Sequence, residues 1–423
     1  MPIYLLAEII RMAEPVEWAG YLPFRMALRE RSREIVSSQS IQLRHAGPLF
    51  AERSRQTYIP LMPVEPPAPL DADEVASSLE PGGAFARYFQ DFEYRPQQVA
   101  MLKAVTEAFS ESRHLLVEAG TGTGKSMAYL IPAALWAVKN NKRVVISTNT
   151  INLQDQLINK DIPDLEAVLG INIQAAVMKG RSNYFCPRRF ESFRRRGPET
   201  ADEMRVLAKV LIWLQATESG DRAELNLNGP TENNIWMRLS AEDEDCTTEN
   251  CLKRTGGICP FFRVRQAAQN AHILIVNHAL LLADVATGNK VLPEYEYLIV
   301  DEAHHLEDAT TNALSFRVTL AEIERALNQL GGASSGILGW LLSAMREVLP
   351  PSDLASVNHL VERATDLAFR LQHLSRQFFQ SIDHFLIEQR DGRPVGMYSH
   401  QERIVEATRT QPAWMYVEQA WDE

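Results

Sequence analysis

Cysteine is scarce, at four of 423 residues, too few for the disulfide framework that staples small secreted domains. Long apolar runs are missing too. The opening stretch MPIYLLAEIIRMAEPVEW is broken by Glu8 and Arg11 and carries no basic leader. Nowhere does the chain reach the roughly 18 uninterrupted apolar residues of a membrane span, so it reads as a cytoplasmic protein. Positive charge is in short supply: 43 Lys and Arg face 54 Asp and Glu, a formal net charge of −11. That balance excludes a basic coat over the whole surface of the kind that grips nucleic acid nonspecifically, and any nucleic-acid contact must be local. Internal repeats are lacking as well. What remains, 45% hydrophobic and 23% charged, is a globular composition with core-forming capacity for about two to four domains.

The proline-rich stretch from Pro60 to Pro69 cannot sustain a helix or a central strand and reads as a linker. Beyond Phe89 short apolar strands alternate with longer helices: Leu115 to Glu118, then Lys125 to Lys139; Arg143 to Ser147, then Ile151 to Lys160; later His272 to Asn277 and Tyr297 to Val300. This rhythm predicts an α/β fold built on a parallel sheet. Between about Arg181 and Asn270 the rhythm lapses into a charged insertion that holds all four cysteines. After Asp308 a helical stripe follows, running through Leu354, Val357, Leu360, Val361, Ala364, Leu367, Leu371, Leu374, Phe378, Ile382 and Phe385. Its spacing predicts helix-to-helix core packing.

Glu118-Ala-Gly120-Thr121-Gly122-Thr123-Gly124-Lys125-Ser126 lies between a predicted strand and an apolar helix, the setting of a phosphate-binding loop. Its glycines let consecutive N–H groups converge, and the helix N-terminus favours anions. In such a loop Lys125 reaches the β and γ phosphates of ATP and the Ser126 hydroxyl ligates Mg²⁺. The first position of the generic loop pattern is Ala119 rather than glycine. The partner acids fall at the end of another apolar run, Tyr297-Leu-Ile-Val-Asp301-Glu302-Ala-His304. Asp301 is placed to hold the metal through its water shell, and Glu302 to orient and deprotonate the attacking water. His304 suits coupling to other motifs, and His305 reads as a surface residue. Upstream, Arg95 and Gln98 in YRPQQVAM suit recognition of the adenine, although helix-start chemistry accounts for the same residues.

Cys186, Cys246, Cys251 and Cys259 are spaced C-x59-C-x4-C-x7-C. Four thiolates suit a tetrahedral Zn²⁺ or a [4Fe–4S] cluster, and the spacing leaves both open. Next to the first cysteine, arginines alternate with Tyr184, Phe185, Phe190 and Phe193. The guanidinium groups could follow a phosphate backbone while the rings stack on unpaired bases; a solvated helix face explains the arginines equally well.

In this order EAGTGTGKS, STNTINLQDQL, KGRSNYFC, the four cysteines, VNHALLL and DEAHH resemble the DinG/XPD-like family of iron-sulfur superfamily-two DNA helicases, in its bacterial DinG-type branch. The resemblance covers roughly residues 80 to 423. It implies ATP-driven 5′-to-3′ translocation on single-stranded DNA and action at duplex junctions, in replication or repair. The implied architecture has a helical N-terminal segment and linker over 1–80, a RecA-like motor domain over 81–180 and 272–312, an inserted iron-sulfur domain over 181–271, and a helical arch over 313–423. Lys125, Ser126, Asp301 and Glu302 then become ATPase residues, Arg95 and Gln98 the adenine-side motif, and the four cysteines the cluster ligands. Thr148 and Thr150 would touch the DNA backbone together with Arg181, Tyr184 and Asn277, and His278 would share the motif of Asn277.

The family continues into a second RecA-like domain that carries an arginine finger. No Gln-x-x-Gly-Arg-x-x-Arg stretch follows Asp308, so the resemblance implies an incomplete enzyme that turns ATP over poorly by itself. Residues 1–60 look like the connector behind an exonuclease domain, which would make the chain part of an exonuclease–helicase fusion. A rival of another class is a nucleic-acid-binding module with structural zinc and a nucleotide pocket acting as a switch.

Overall fold

The computed structural model describes residues 1, 3–35, 59–120, 122–242, 259–315, 318–346, 348–390 and 402–423. The chain forms two compact units, Met1–Leu314 and Ser315–Glu423.

At the centre of the first unit lie four parallel strands, β1 (Val144–Thr148), β2 (Ala175–Val177), β3 (Ile273–Asn277) and β4 (Tyr297–Val300), in the order β2-β3-β1-β4. Val144 of β1 is in register with Ile273 on one side and Tyr297 on the other. Strands covered on both faces need continuous apolar runs, which VVI and ILIV supply; Val144, Val145, Ile146 and all of Ile273–Val276 are fully buried. On one face, the helices Pro96–Ser110 and Lys125–Asn140 close over the sheet through Phe109, Trp136 and Tyr297, whose rings pack within 6 Å of one another. The opposite face packs against Tyr184, Cys186, Cys259 and Phe261 from the segment that separates β2 from β3.

The predicted strand Leu115–Glu118 is absent: this stretch makes no ladder bonds to the sheet. Leu116 is 99% exposed, and Leu115 packs only partly against the core. The apolar burial that would stabilise a paired strand is therefore missing. The proline-rich stretch is also more than a linker. Val64 N donates to the Asn140 carbonyl at 2.9 Å, and Ala68 N to Asn140 Oδ1 at 2.6 Å. Asn141 and Lys139 donate to the carbonyls of Met62 and Pro69, each at 2.9 Å. Prolines leave carbonyls without competing N–H groups, and these serve to strap the segment across the end of the Lys125–Asn140 helix.

The segment between β2 and β3 has its own core, formed by the helices Pro187–Arg196, Ala201–Trp213 and Gly229–Met237 around Phe185, Leu207, Leu211 and Trp236. The N-terminal helix Ile3–Ala13 belongs to this core. Leu5, Ile9, Met12 and Ala13 recur every three to four residues, form one apolar face and are buried in it. Glu8, on the flank of that face, pairs with Arg194.

The second unit is helical. Leu320–Leu330 starts with a capping box between Thr319 and Glu322. Gly336–Arg346, the 38-residue Pro351–Glu388 and Pro412–Asp422 follow. Val361 and Phe385 of the long helix are buried as its stripe predicts, but Leu360, Leu367 and Leu371 are more than half exposed. Length explains the difference. At about 1.5 Å per residue the long helix runs about 57 Å, whereas 11-residue partners cover about 16 Å each. No helix among the described residues is long and apolar enough to cross a membrane.

Candidate nucleotide site

Gly124 caps the Lys125–Asn140 helix in the left-handed conformation, with φ 79° and ψ 33°. Only glycine enters that region without strain, and a Cβ here would also lie 2.2 Å from Gln98 Nε2. That close approach is used: Gln98 Nε2 donates to the Gly124 carbonyl at 2.9 Å, and Arg95 Nη1 to the Gly122 carbonyl at 2.6 Å. Thr123 Oγ1 closes the turn onto the Gly120 carbonyl at 2.9 Å. Arg95 and Gln98 thus hold the phosphate loop's backbone. Thr121 lies outside the described residues.

β4 brings the acids to the loop. Asp301 N donates to the Ser147 carbonyl at 2.9 Å and continues the strand pairing by one residue. Glu302 then turns sharply into the left-handed region, with φ 55°. That turn aims Glu302 Oε1 at Lys125 Nζ, 3.1 Å away and 177 positions distant in the chain. The Lys125 ammonium, followed by weaker contributions from His304 and His305, holds the Glu302 carboxyl below its usual range. Asp301 Oδ1 accepts from Glu302 N at 3.0 Å, and Oδ2 accepts from the Tyr129 hydroxyl at 3.1 Å. Ser126 follows Lys125 in the first turn of the same helix. Lys125, Ser126, Asp301 and Glu302 therefore meet in one place, with the charges that a magnesium nucleotide requires: a cation for phosphate, a hydroxyl and a carboxylate for the metal, a second carboxylate for water.

Two neighbours complete the setting. His278 is buried beneath the acids with Nδ1 2.7 Å from Ser147 Oγ, and burial lowers its pKa. His304 Nε2 lies 3.5 Å from Glu302 Oε2, and Glu302, His304 and His305 place potential metal-ligand atoms within 4.8 Å of one another. Tyr129 was not foreseen from the sequence. The signal was available, because three and four residues after Ser126 and Lys125 lie on the same helical face.

The residues expected to touch DNA divide. Thr150 Oγ1 caps the helix Ile151–Gln156, accepting from Leu153 N at 3.3 Å, and Asn277 Oδ1 caps His278–Ala286, accepting from Leu280 N at 2.9 Å. Both stand at the carboxyl ends of strands, where open α/β sheets bind ligands. Thr148 is fully buried and turned onto the Thr150 carbonyl, so it presents nothing to a backbone. Arg181 sets its guanidinium 5.5 Å from the centre of the Phe261 ring. Tyr184 is 2% exposed, with its hydroxyl accepting from Lys179 N at 3.0 Å. Base stacking by Tyr184, Phe185, Phe190 and Phe193 is overturned, since all four rings are buried in apolar clusters. The i, i+3 spacing of Phe190 and Phe193 served the core.

Cys186 and Cys259 are 3% and 1% exposed and share one apolar cluster. Each immediately precedes a proline that opens a helix, Pro187–Arg196 and Pro260–Gln269. Cys246 and Cys251 lie outside the described residues.

A glycine-bound phosphate loop facing an Asp-Glu pair across a parallel sheet defines the class of P-loop NTPases. A family model described as DEAD/DEAH box helicase matches residues 95–185, and a second, DEAD_2, matches residues 237–323. The chain is 33% identical over 385 residues to a Bacillus subtilis protein named 3′-5′ exonuclease DinG, an alignment spanning 86% of this chain and 39% of that one. Over 255 residues it is 35% identical to the ATP-dependent helicase DinG of Mycobacterium tuberculosis, spanning 56% of this chain and 38% of the relative. It is 34% identical over 247 residues to the ATP-dependent DNA helicase YoaA of Escherichia coli, spanning 55% of this chain and 36% of the relative. Over these stretches the chain resembles the DinG-like helicases. It spans about two fifths of the length of these relatives.

Proposed function

We propose that this chain carries the ATP-binding motor domain of an ATP-dependent DNA helicase acting on single-stranded DNA and duplex junctions in the cytoplasm. The carrying observation is the 3.1 Å contact between Lys125 and Glu302, with Asp301 held beside it by the Tyr129 hydroxyl. In this reading Lys125 and the loop's N–H groups bind the triphosphate. Ser126 and Asp301 are the residues that would hold Mg²⁺, which supplies charge neutralisation when bound. Glu302 orients the attacking water and accepts its proton once phosphate has drawn Lys125 away. Arg95 and Gln98 brace the loop from the adenine side. Thr150, Asn277 and Arg181 are the proposed DNA contacts, and 5′-to-3′ polarity follows the family resemblance.

The segment 181–271 reads as an iron-sulfur domain, with Cys186, Cys246, Cys251 and Cys259 as ligands of a [4Fe–4S] cluster; the two buried cysteines at helix starts support it. Residues 313–423 read as the arch. Zinc is the rival occupant: anaerobically purified protein that is colourless, with zinc and no acid-labile sulfide, would replace the cluster with a structural zinc site. The nucleotide site is tested with Lys125→Ala. Binding of a fluorescent ATP analogue should be lost, and undiminished binding would sink the assignment.

A further inference from the structure

The Lys125–Asn140 helix places Tyr129 one turn behind the phosphate loop, 3% exposed, with its ring among the core side chains and its hydroxyl at the acids. That hydroxyl lies 3.1 Å from Asp301 Oδ2, while Asp301 Oδ1 is taken by Glu302 N at 3.0 Å. Each oxygen of the carboxylate thus has a protein donor, and rotation about its terminal bond is arrested. A phenol has one proton to donate and lone pairs to accept with. Here it donates to Asp301, so one buried group holds the carboxylate that the proposed reading assigns to Mg²⁺.

We infer that Tyr129 is a positioning residue for the metal side of the nucleotide site, fixing the orientation in which the Asp301 carboxylate meets Mg²⁺. The inference rests on the nucleotide-site reading. An ionised carboxylate has about four lone-pair sites, and the Tyr129 bond leaves room on Asp301 for a metal-bound water.

The test is Tyr129→Phe in the full 423-residue chain, which keeps the ring and removes only the hydroxyl. Binding of a fluorescent ATP analogue is titrated against MgCl2 and also measured in EDTA. The expected result is a half-saturating Mg²⁺ concentration raised about tenfold, the lower end of what a hydrogen bond to a charged group supports, with EDTA binding and the thermal melt unchanged. In the double variant with Asp301→Asn, Tyr129→Phe should add nothing further, because its effect passes through that carboxylate. An unchanged Mg²⁺ requirement overturns the inference, as does an equal loss with and without Mg²⁺, which would make Tyr129 a packing residue. Lys125→Ala, measured alongside, separates the two readings. Retained binding there removes the nucleotide site itself, whereas loss there with an unaltered Mg²⁺ requirement in Tyr129→Phe removes only the role of Tyr129.

Discussion

Lys125 cannot serve a phosphate and Glu302 at full strength together, so the ion pair at 3.1 Å competes with nucleotide. Glu302→Gln removes the competing charge while keeping the side chain's size. Coulomb attraction at this separation is about 1.3 kcal/mol in water-like surroundings and larger where water is excluded. Side-chain ordering and desolvation offset part of it, and partly exposed pairs of this kind contribute up to about 1 kcal/mol. Releasing that amount should tighten binding of an ATP analogue about fivefold, whereas turnover should fall with loss of the proton acceptor. The pH dependence has a definite sign. Because Lys125 depresses the Glu302 pKa, the pair and the stability it contributes are fully present above the ordinary glutamate value of about 4.3 and are lost as pH falls through the lowered value. The affinity gap between variant and wild type should thus stay level between about pH 5 and 8. Fluorescence titration of both proteins decides it, and equal or weaker binding by a folded Glu302→Gln chain would refute the competition.

Gly124→Ala should cost about 1 kcal/mol for the left-handed φ and push Gln98 off the Gly124 carbonyl, lowering both the melting temperature and nucleotide affinity; a variant unchanged in both would show that the loop does not need this brace. Glu8→Ala leaves Arg194 without its main partner where both side chains are largely buried, so guanidinium denaturation should show a loss of about 3 kcal/mol. A loss below about 0.5 kcal/mol would mean that the N-terminal helix contributes little to the core of the segment between β2 and β3.

Features set by local chemistry were legible in the chain. The apolar runs VVI, ILIV and YLIV became three of the four strands, and GTGKS became the start of a helix after a left-handed glycine. Strand burial on two faces and a tight glycine turn each constrain a few consecutive residues, so composition alone reveals them. Leu115–Glu118 misled because an apolar run does not reveal whether a neighbouring edge will cover it, and Leu116 stays in water. The aromatic residues 184–193 misled for the mirror reason: rings beside arginines suit base stacking or a core equally, and here the core took them.

The amino-acid order by itself therefore determined which residues could bind phosphate, metal and water, since each role depends on a side chain's own chemistry and its immediate turn. Tertiary structure alone decided that Lys125 meets Glu302 across 177 positions, that Tyr129 meets Asp301, and that residues 3–13 complete a core begun near residue 185. Such meetings are chosen by which apolar faces bury one another, and burial is non-directional. No short stretch of sequence encodes its own partner.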